Sequence, residues 1–479
     1  MLTEISMAGK QRHGLPPPTY PLLRLRVIRN SLDLPQLFEL TSISPVCARD
    51  DVFCNKTRRW PGRSEGGPEG CPSANRAGCI GPTRHHCAGK LPDEAVISLK
   101  PDIDDLVPAE ASLRDSVSAS APESSFPKVL RRRLDDFFSD GSISPKADLA
   151  MWVKIAVGLA VLAGSWIALY ALKPDSWKFV GLYLLNAVAQ TFLLLNIAHD
   201  SNHNAISSSR SVNKALNYVF DVCGINSYMW RILHHRGHHS CINLHGEDDA
   251  LTGRGVLRFT PHEPRTRLQR FQHIYALLMY ALFSLDYVFL RDFECFFFPS
   301  HDYLKRAKHP VREYIILFAG KAFYLTYMLI LPVVLLRKSP WLVALAFLLS
   351  HLIIGLSVAL VFQTTHVIDS TYFPADRNEF DNWIHHIFAT TADYATETPL
   401  VGWLVGGLNH HIVHHLCPFV CHTHYAPLTR IVKQTAEEYG IPYRQHPTMT
   451  QAIKHHLLLL KQLGNEDHIS HLMRLDSEA

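Results

Sequence analysis

Apolar residues in this chain come in blocks longer than the strands or amphipathic helices of a soluble protein require. Two of them, 151–172 (MWVKIAVGLAVLAGSWIALYAL) and 177–197 (WKFVGLYLLNAVAQTFLLLNI), are separated only by KPDS, and two more, 314–336 and 341–363, only by RKSP. Each has about the 20 residues that a helix needs to cross a ~30 Å hydrocarbon layer. The pattern predicts two transmembrane helical hairpins. A fifth stretch, 271–290, is long enough to span but carries Gln272, His273 and Asp286. Parity places it in the interface: if it crossed, the polar segments before it and after the second hairpin would lie on opposite faces. Ahead of the spans, Phe126, Val129, Leu130, Leu134, Phe137 and Phe138 fall at helical spacing with Arg131 to Arg133 between them. Such an amphipathic helix suits either a membrane surface or the outside of a packed domain, and the spans that follow favour the membrane.

Residues 1–124 show neither period. They are rich in Pro, Gly, Ser, Arg and Asp, lack a continuous apolar signal-peptide core, and end in an acidic, serine-rich run. Too little apolar surface is available there to offset chain entropy, so a disordered extension is expected, with the membrane domain occupying 125–479. Five of the ten cysteines (Cys47, Cys54, Cys71, Cys79 and Cys87) lie in this extension, with no C-x-x-C pair. Free thiols explain them better than a metal knot of Cys71, Cys79 and Cys87 with His85 and His86. The net charge of +4 is too mild to suggest nucleic acid. Its distribution is more informative: ten Lys and Arg fall between 252 and 313, against two in RKSP and one in KPDS. By the positive-inside rule, the longer loop is cytoplasmic.

Ten of the 29 histidines fall into three tight groups: HDSNH (199–203), HHRGHH (234–239) and HHIVHH (410–415). His199 and His203 are four residues apart and share one face of a helix running out of the second span. His234, His238 and His239 repeat that step with an extra neighbour, as do His411, His414 and His415. A lone His-x-x-x-His is usually a surface pair or a satisfied core pair, but three groups on one side of a consistent topology point to a shared centre. Eight neutral imidazoles are too many for one ion and suit two, with open positions left. Imidazole alone does not choose among zinc, copper, iron and nickel, and the Glu-x-x-His pairs of soluble di-iron bundles do not occur in the chain.

The order HDxxH, HxxxHH, HxxHH, placed after and between hairpins, resembles the membrane fatty acid desaturases over residues 125–479. The segments VFQTTHVIDSTYFP, ATTADYA, GGLNHHIVHHLCPFVCHTHYAPL and YRQHPTMTQAI are similar to the bacterial and front-end acyl desaturase branch. That resemblance implies an all-α integral membrane fold of four transmembrane helices, interfacial helices and a cytoplasmic helical cap carrying a di-iron site. It also implies two iron ions, O2 as co-substrate, and removal of two hydrogens from adjacent methylenes of an acyl-CoA or acyl-lipid. By position, His199, His203, His234, His238, His239, His411, His414 and His415 correspond to the family's ligands. His366 is the candidate ninth, with His386 in reserve, while His235 and His410 read as bystanders. Asp200, Asp248, Asp249, His386 and Asn409 are candidates for outer residues that orient ligand rings; for Asp248 and Asp249 a solvated loop is the equal alternative. His411 stands where front-end members carry glutamine, so the position of the new double bond is not inherited from them.

Oxidising an unactivated C–H bond demands redox chemistry that zinc lacks, which fits iron. The chain has no His-Pro-Gly-Gly haem motif, ferredoxin-like cysteine spacing or Gly-rich dinucleotide turn. A separate electron donor is therefore implied, either a ferredoxin or a b-type cytochrome with its reductase. The basic stretch from Arg254 to Arg312 could hold an acyl head group or merely set topology. Two rivals remain: an alkane or lipid hydroxylase of the same superfamily, and a His-rich metal transporter. The transporter calls for ionisable residues paired deep within the spans, where only Lys154, Lys321 and His351 occur, with no evident partners.

Overall fold

The computed structural model describes residues 125–466 apart from 140, 299, 300, 306, 307 and 381, together with 469 and 472. The expectations for residues 1–124 and their cysteines lie outside the described residues. Four helices are long and apolar enough to cross a membrane: α2 (Leu149–Leu172), α3 (Ser176–Asn202), α7 (Val311–Leu335) and α8 (Pro340–His366). With almost no strand beside them, they make this an all-α integral membrane protein. The entries to the first hairpin are capped by side chains. Asp148 accepts from Met151 N at 2.8 Å and Asp175 from Lys178 N at 3.1 Å, satisfying first-turn amides that have no helical partner. Trp177 and Trp341, 86% and 85% exposed beside the two short loops, sit where an aromatic belt meets water. Lys338 in the second loop donates to the Pro174 carbonyl in the first, so both loops lie at the same end.

The helices α3 and α8 form the inner pair, and α2 and α7 turn more of their surface outward. Polar side chains join the inner helices to their neighbours: Asn186 of α3 donates to Ser165 Oγ of α2 at 2.9 Å and is itself steadied by Gln190 one turn on in α3, and Ser350 of α8 donates to the Tyr183 carbonyl of α3 at 3.3 Å, hydrogen bonds between helices that act where lipid offers no hydrophobic contrast. The ambiguous fifth stretch folds as α5 (Leu268–Ala281) and α6 (Phe283–Phe297), bent at 57° to each other. Gly355 of α8 admits the bend, because a Cβ there would stand 2.5 Å from the Ala281 carbonyl oxygen. Parity then decides that the pair does not cross. The His238 and His366 rings, on either side of this stretch in sequence, lie 4.6 Å apart, so the chain leaves α3 and enters α7 on one face.

Beyond the spans, α9 (Trp383–Thr390), α10 (His411–Leu416), α11 (Tyr425–Glu438) and α12 (Met449–Asn465) build a cap. Its only strands among the described residues, β1 (Asp393–Tyr394) and β2 (Gln445–His446), pair in parallel, Asp393 with Gln445 and Tyr394 with His446. The amphipathic helix α1 (Phe126–Asp136) belongs to this cap and not to a membrane surface. Phe126, Leu130 and Leu134 bury against Ile384, Phe388, Val413 and Val432, and Arg133 ties to Glu438 at 2.6 Å. The same apolar stripe serves either environment, so its spacing does not distinguish lipid from a protein face.

Candidate metal centre

The histidine groups meet at the end of α3 and α8 as two buried quartets. His199, His203, His234 and His414 form one and His238, His366, His411 and His415 the other; within each, one ligand atom per residue lies within 4.8 Å of the rest. His239 stands between them. Its Nε2 is 3.2 Å from His234 Nε2 and 3.0 Å from His414 Nε2, and its ring is 4.5 Å from that of His415.

The local backbone explains how three short motifs serve two centres. In α3, a π turn at Leu194–Ala198 precedes His199, and the second group lies in a π segment, Leu233–His239, that continues α4 (Ser227–Ile232). The wider π turn brings residues five apart onto one face. It pairs His234 with His239 and turns His238 toward His366, correcting the expected four-residue step between His234 and His238. In the third group, α10 is a regular helix, and His411 and His415 face the second quartet while His414 faces the first. Asp393 fixes the start of α10 by accepting from Ile412 N at 2.9 Å and from the Tyr443 hydroxyl. Burial lifts its carboxyl to about 7.

The donor set fits metal ions. The close Nε2 pairs, His203 with His234 at 2.9 Å and His366 with His415 at 3.1 Å, have the spacing of adjacent ligands around one ion, about 3.0 Å for bonds of ~2.1 Å at right angles. His199 Nε2 and His411 Nε2 are buried without any hydrogen-bond partner. Burial, reinforced by neighbouring imidazoles, holds His234, His239, His411, His414 and His415 well below the ordinary imidazole range, which keeps them neutral and able to donate lone pairs. The opposite nitrogens are held from outside: His366 Nδ1 by the Thr390 carbonyl at 3.2 Å, His411 Nδ1 by the Leu408 carbonyl at 3.0 Å, and His414 Nδ1 by the Tyr425 hydroxyl at 3.2 Å.

Among the outer candidates, Asp248 lies 3.0 Å from His238 Nδ1 and is buried, accepting also from Asn243 N and Ala250 N. It is not in a solvated loop. Asp249 is only partly buried, and it faces Arg291 and His301 rather than a clustered histidine. Asp200 meets His422 Nδ1 at 2.7 Å, with His199 Nδ1 at 3.6 Å, beyond hydrogen-bond reach. His386 bonds the Ile242 carbonyl at 2.8 Å outside both quartets, and Asn409 donates to the Ala395 carbonyl at 3.3 Å. His235 stacks on His203 at 4.5 Å, while His410 Nδ1 pairs with Thr429 Oγ1 at 2.8 Å.

Sequence reasoning missed the partners inside the spans. Lys154 Nζ is 2.8 Å from His422 Nε2, and Lys321 Nζ is 2.6 Å from Asp292 Oδ2. His351 lies between Ser284 Oγ and the Tyr324 hydroxyl, each at 2.9 Å. It also missed Asn243, whose buried amide ties the carbonyls of His366, Tyr372 and Thr390 together.

A cavity of about 310 Å³ opens beside His234, His238 and His366, walled by Trp230, Phe259, Tyr280, Phe283, Tyr287 and Phe362. That is the small end of the range for ligand sites, and its aromatic lining suits an apolar chain.

Fold and site together define a polytopic membrane protein with a buried all-histidine centre at one end of its helix bundle. Residues 174–447 match the fatty acid desaturase family. The sn-1 linoleoyl-lipid 6-desaturase of Synechocystis sp. is 32% identical over 346 residues, covering 71% of this chain and 95% of that protein. The acyl-lipid (8-3)-desaturase of Physcomitrium patens is 32% identical over 355 residues, 72% of this chain and 73% of its own. Acyl-lipid (8-3)-desaturase B of Dictyostelium discoideum is 28% identical over 360 residues, 72% of this chain and 76% of its own. The chain belongs to the fatty acid desaturase family. It is an oxidoreductase that desaturates fatty acyl chains in a membrane setting.

Proposed function

We propose that the two quartets and His239 hold two iron ions, and that the enzyme uses O2 and electrons from a separate ferredoxin or b-type cytochrome to place a double bond in a lipid-linked acyl chain. The observation that carries this reading is the pair of quartets opening onto one aromatic cavity. Iron supplies the oxygen activation and redox cycling that a methylene C–H bond demands. The chain's own residues hold the imidazoles neutral and oriented, exclude water from the centre, and fix which methylenes of the substrate lie beside it. A lipid-linked substrate is preferred to acyl-CoA because the similar proteins above are named for lipid substrates. The positive-inside pattern supports a cytoplasmic location for the centre.

Expression with a compatible electron donor, followed by mass spectrometry of the fatty acids, tests the reaction. The expected product is lighter by two hydrogens; a product gaining one oxygen atom makes the enzyme a hydroxylase instead. Asp248 provides a second test. Asp248→Asn removes the charge that steadies His238 while preserving the side chain's shape. Metal content and turnover are expected to fall by about 10- to 100-fold, as losses of outer partners generally do. Unchanged metal retention would separate Asp248 from the centre.

A further inference from the structure

Away from the quartets, the cap gathers three more metal-ligating side chains from three elements. Asp369 lies in the turn after α8, three residues beyond His366; His446 is the second residue of β2; His455 lies on α12. His455 Nδ1 is 2.8 Å from Asp369 Oδ2 and 3.1 Å from Oδ1. The His446 and His455 rings lie 4.5 Å apart at 32°. His446 Nε2 is shielded from solvent and has no hydrogen-bond partner. One ligand atom from each of the three residues lies within 4.8 Å of the other two.

An Asp–His hydrogen bond alone accounts for two of these residues. It leaves unexplained why a second imidazole is laid against the first with a nitrogen unsatisfied, since buried polar groups normally find a partner. A cation facing all three resolves both points: it takes the His446 lone pair, and it draws the carboxylate and both rings to one side. Two imidazoles and a carboxylate match the three-protein-ligand pattern of zinc, with water completing the coordination. All three residues are half-buried rather than enclosed.

We propose that Asp369, His446 and His455 form a further divalent cation site, of zinc type, that clasps α12 and β2 to the turn following His366. Because β2 pairs with β1, where Asp393 caps α10, the clasp ties the C-terminal segment to α8 and α10, which together carry four of the clustered histidines. The site does not depend on what occupies the quartets.

The test is a zinc titration of the purified full-length enzyme, carrying its own metals, against a competing chromophoric chelator, with iron counted in the same sample. One additional equivalent of zinc per chain is expected, with iron unchanged. That equivalent should be lost in His446→Gln and in Asp369→Asn, and zinc should raise the thermal midpoint of the wild-type enzyme but not of either variant. His446→Cys should restore binding and, with cobalt, produce a thiolate charge-transfer band absent from the wild-type protein. No added equivalent in the wild type, or the same equivalent in the variants, overturns the site. A cobalt-loaded His446→Cys protein without the band overturns it even if the other variants prove unstable.

Discussion

Changing His414 to alanine is expected to abolish double-bond formation while the protein stays inserted in the membrane. The side chain belongs to the first quartet, with its ring 4.6 Å from His199 and 5.0 Å from His203, and its Nε2 lies 3.0 Å from His239. Removing it takes one donor from the first quartet and a neighbour from His239, so the remaining rings no longer close around an ion. The spans are untouched and α10 tolerates alanine, so abundance and topology should hold. The expected fall exceeds the ~100-fold upper range for losing an outer partner, with product below detection and metal content reduced. His410→Ala is the matched control. That histidine, four residues earlier, points to Thr429 rather than to the quartets, and its loss should leave most activity in place. Substantial activity in His414→Ala, or equal losses in both variants, removes His414 from the centre.

What could be read from sequence follows from which physical signals are local. The spans were legible because membrane length and apolarity are properties of a single segment: 151–172 and 341–363 declare themselves without reference to the rest of the chain. The clustering of histidines was legible for a related reason, since imidazoles are costly to bury in threes and fours without a shared purpose. The apportioning of the rings between quartets was not legible, because a π turn leaves no spacing signature distinct from an α-helix until the backbone is seen. His422 was hidden for a third reason. Its partners, Asp200 and Lys154, lie on α3 and α2 more than two hundred residues earlier, and no periodicity connects them. The same holds for α1, whose apolar stripe recorded that one face is covered but not by what.

Lys321 is expected to be the most sensitive position for stability outside the centre. Its ammonium is buried in α7, donating to Asp292 Oδ2 at 2.6 Å and to the carbonyls of Gly224 and Tyr287 at 2.7 and 2.8 Å. Gly224 needs its glycine twice over, for a φ of +81° and because a Cβ would stand 2.6 Å from the Tyr324 ring. Asp292 in turn accepts from Asn226 N at 2.8 Å, and Asn226 caps α4, the helix that runs into His234. In Lys321→Met the carboxylate is left buried with one amide in place of its cation. Breaking such a pair from one side costs about 3–5 kcal/mol, whereas replacing both partners with apolar residues of similar size can be close to neutral. The thermal midpoint in detergent at a fixed scan rate should therefore drop sharply in Lys321→Met and recover much of the loss in Lys321→Met with Asp292→Leu. If the double variant is no better than the single one, the stranded Asp292 carboxylate is not the cause of the loss. A recovered midpoint in a double variant that lacks activity would show in addition that Asp292 positions α4 through Asn226, a role that apolar packing does not replace.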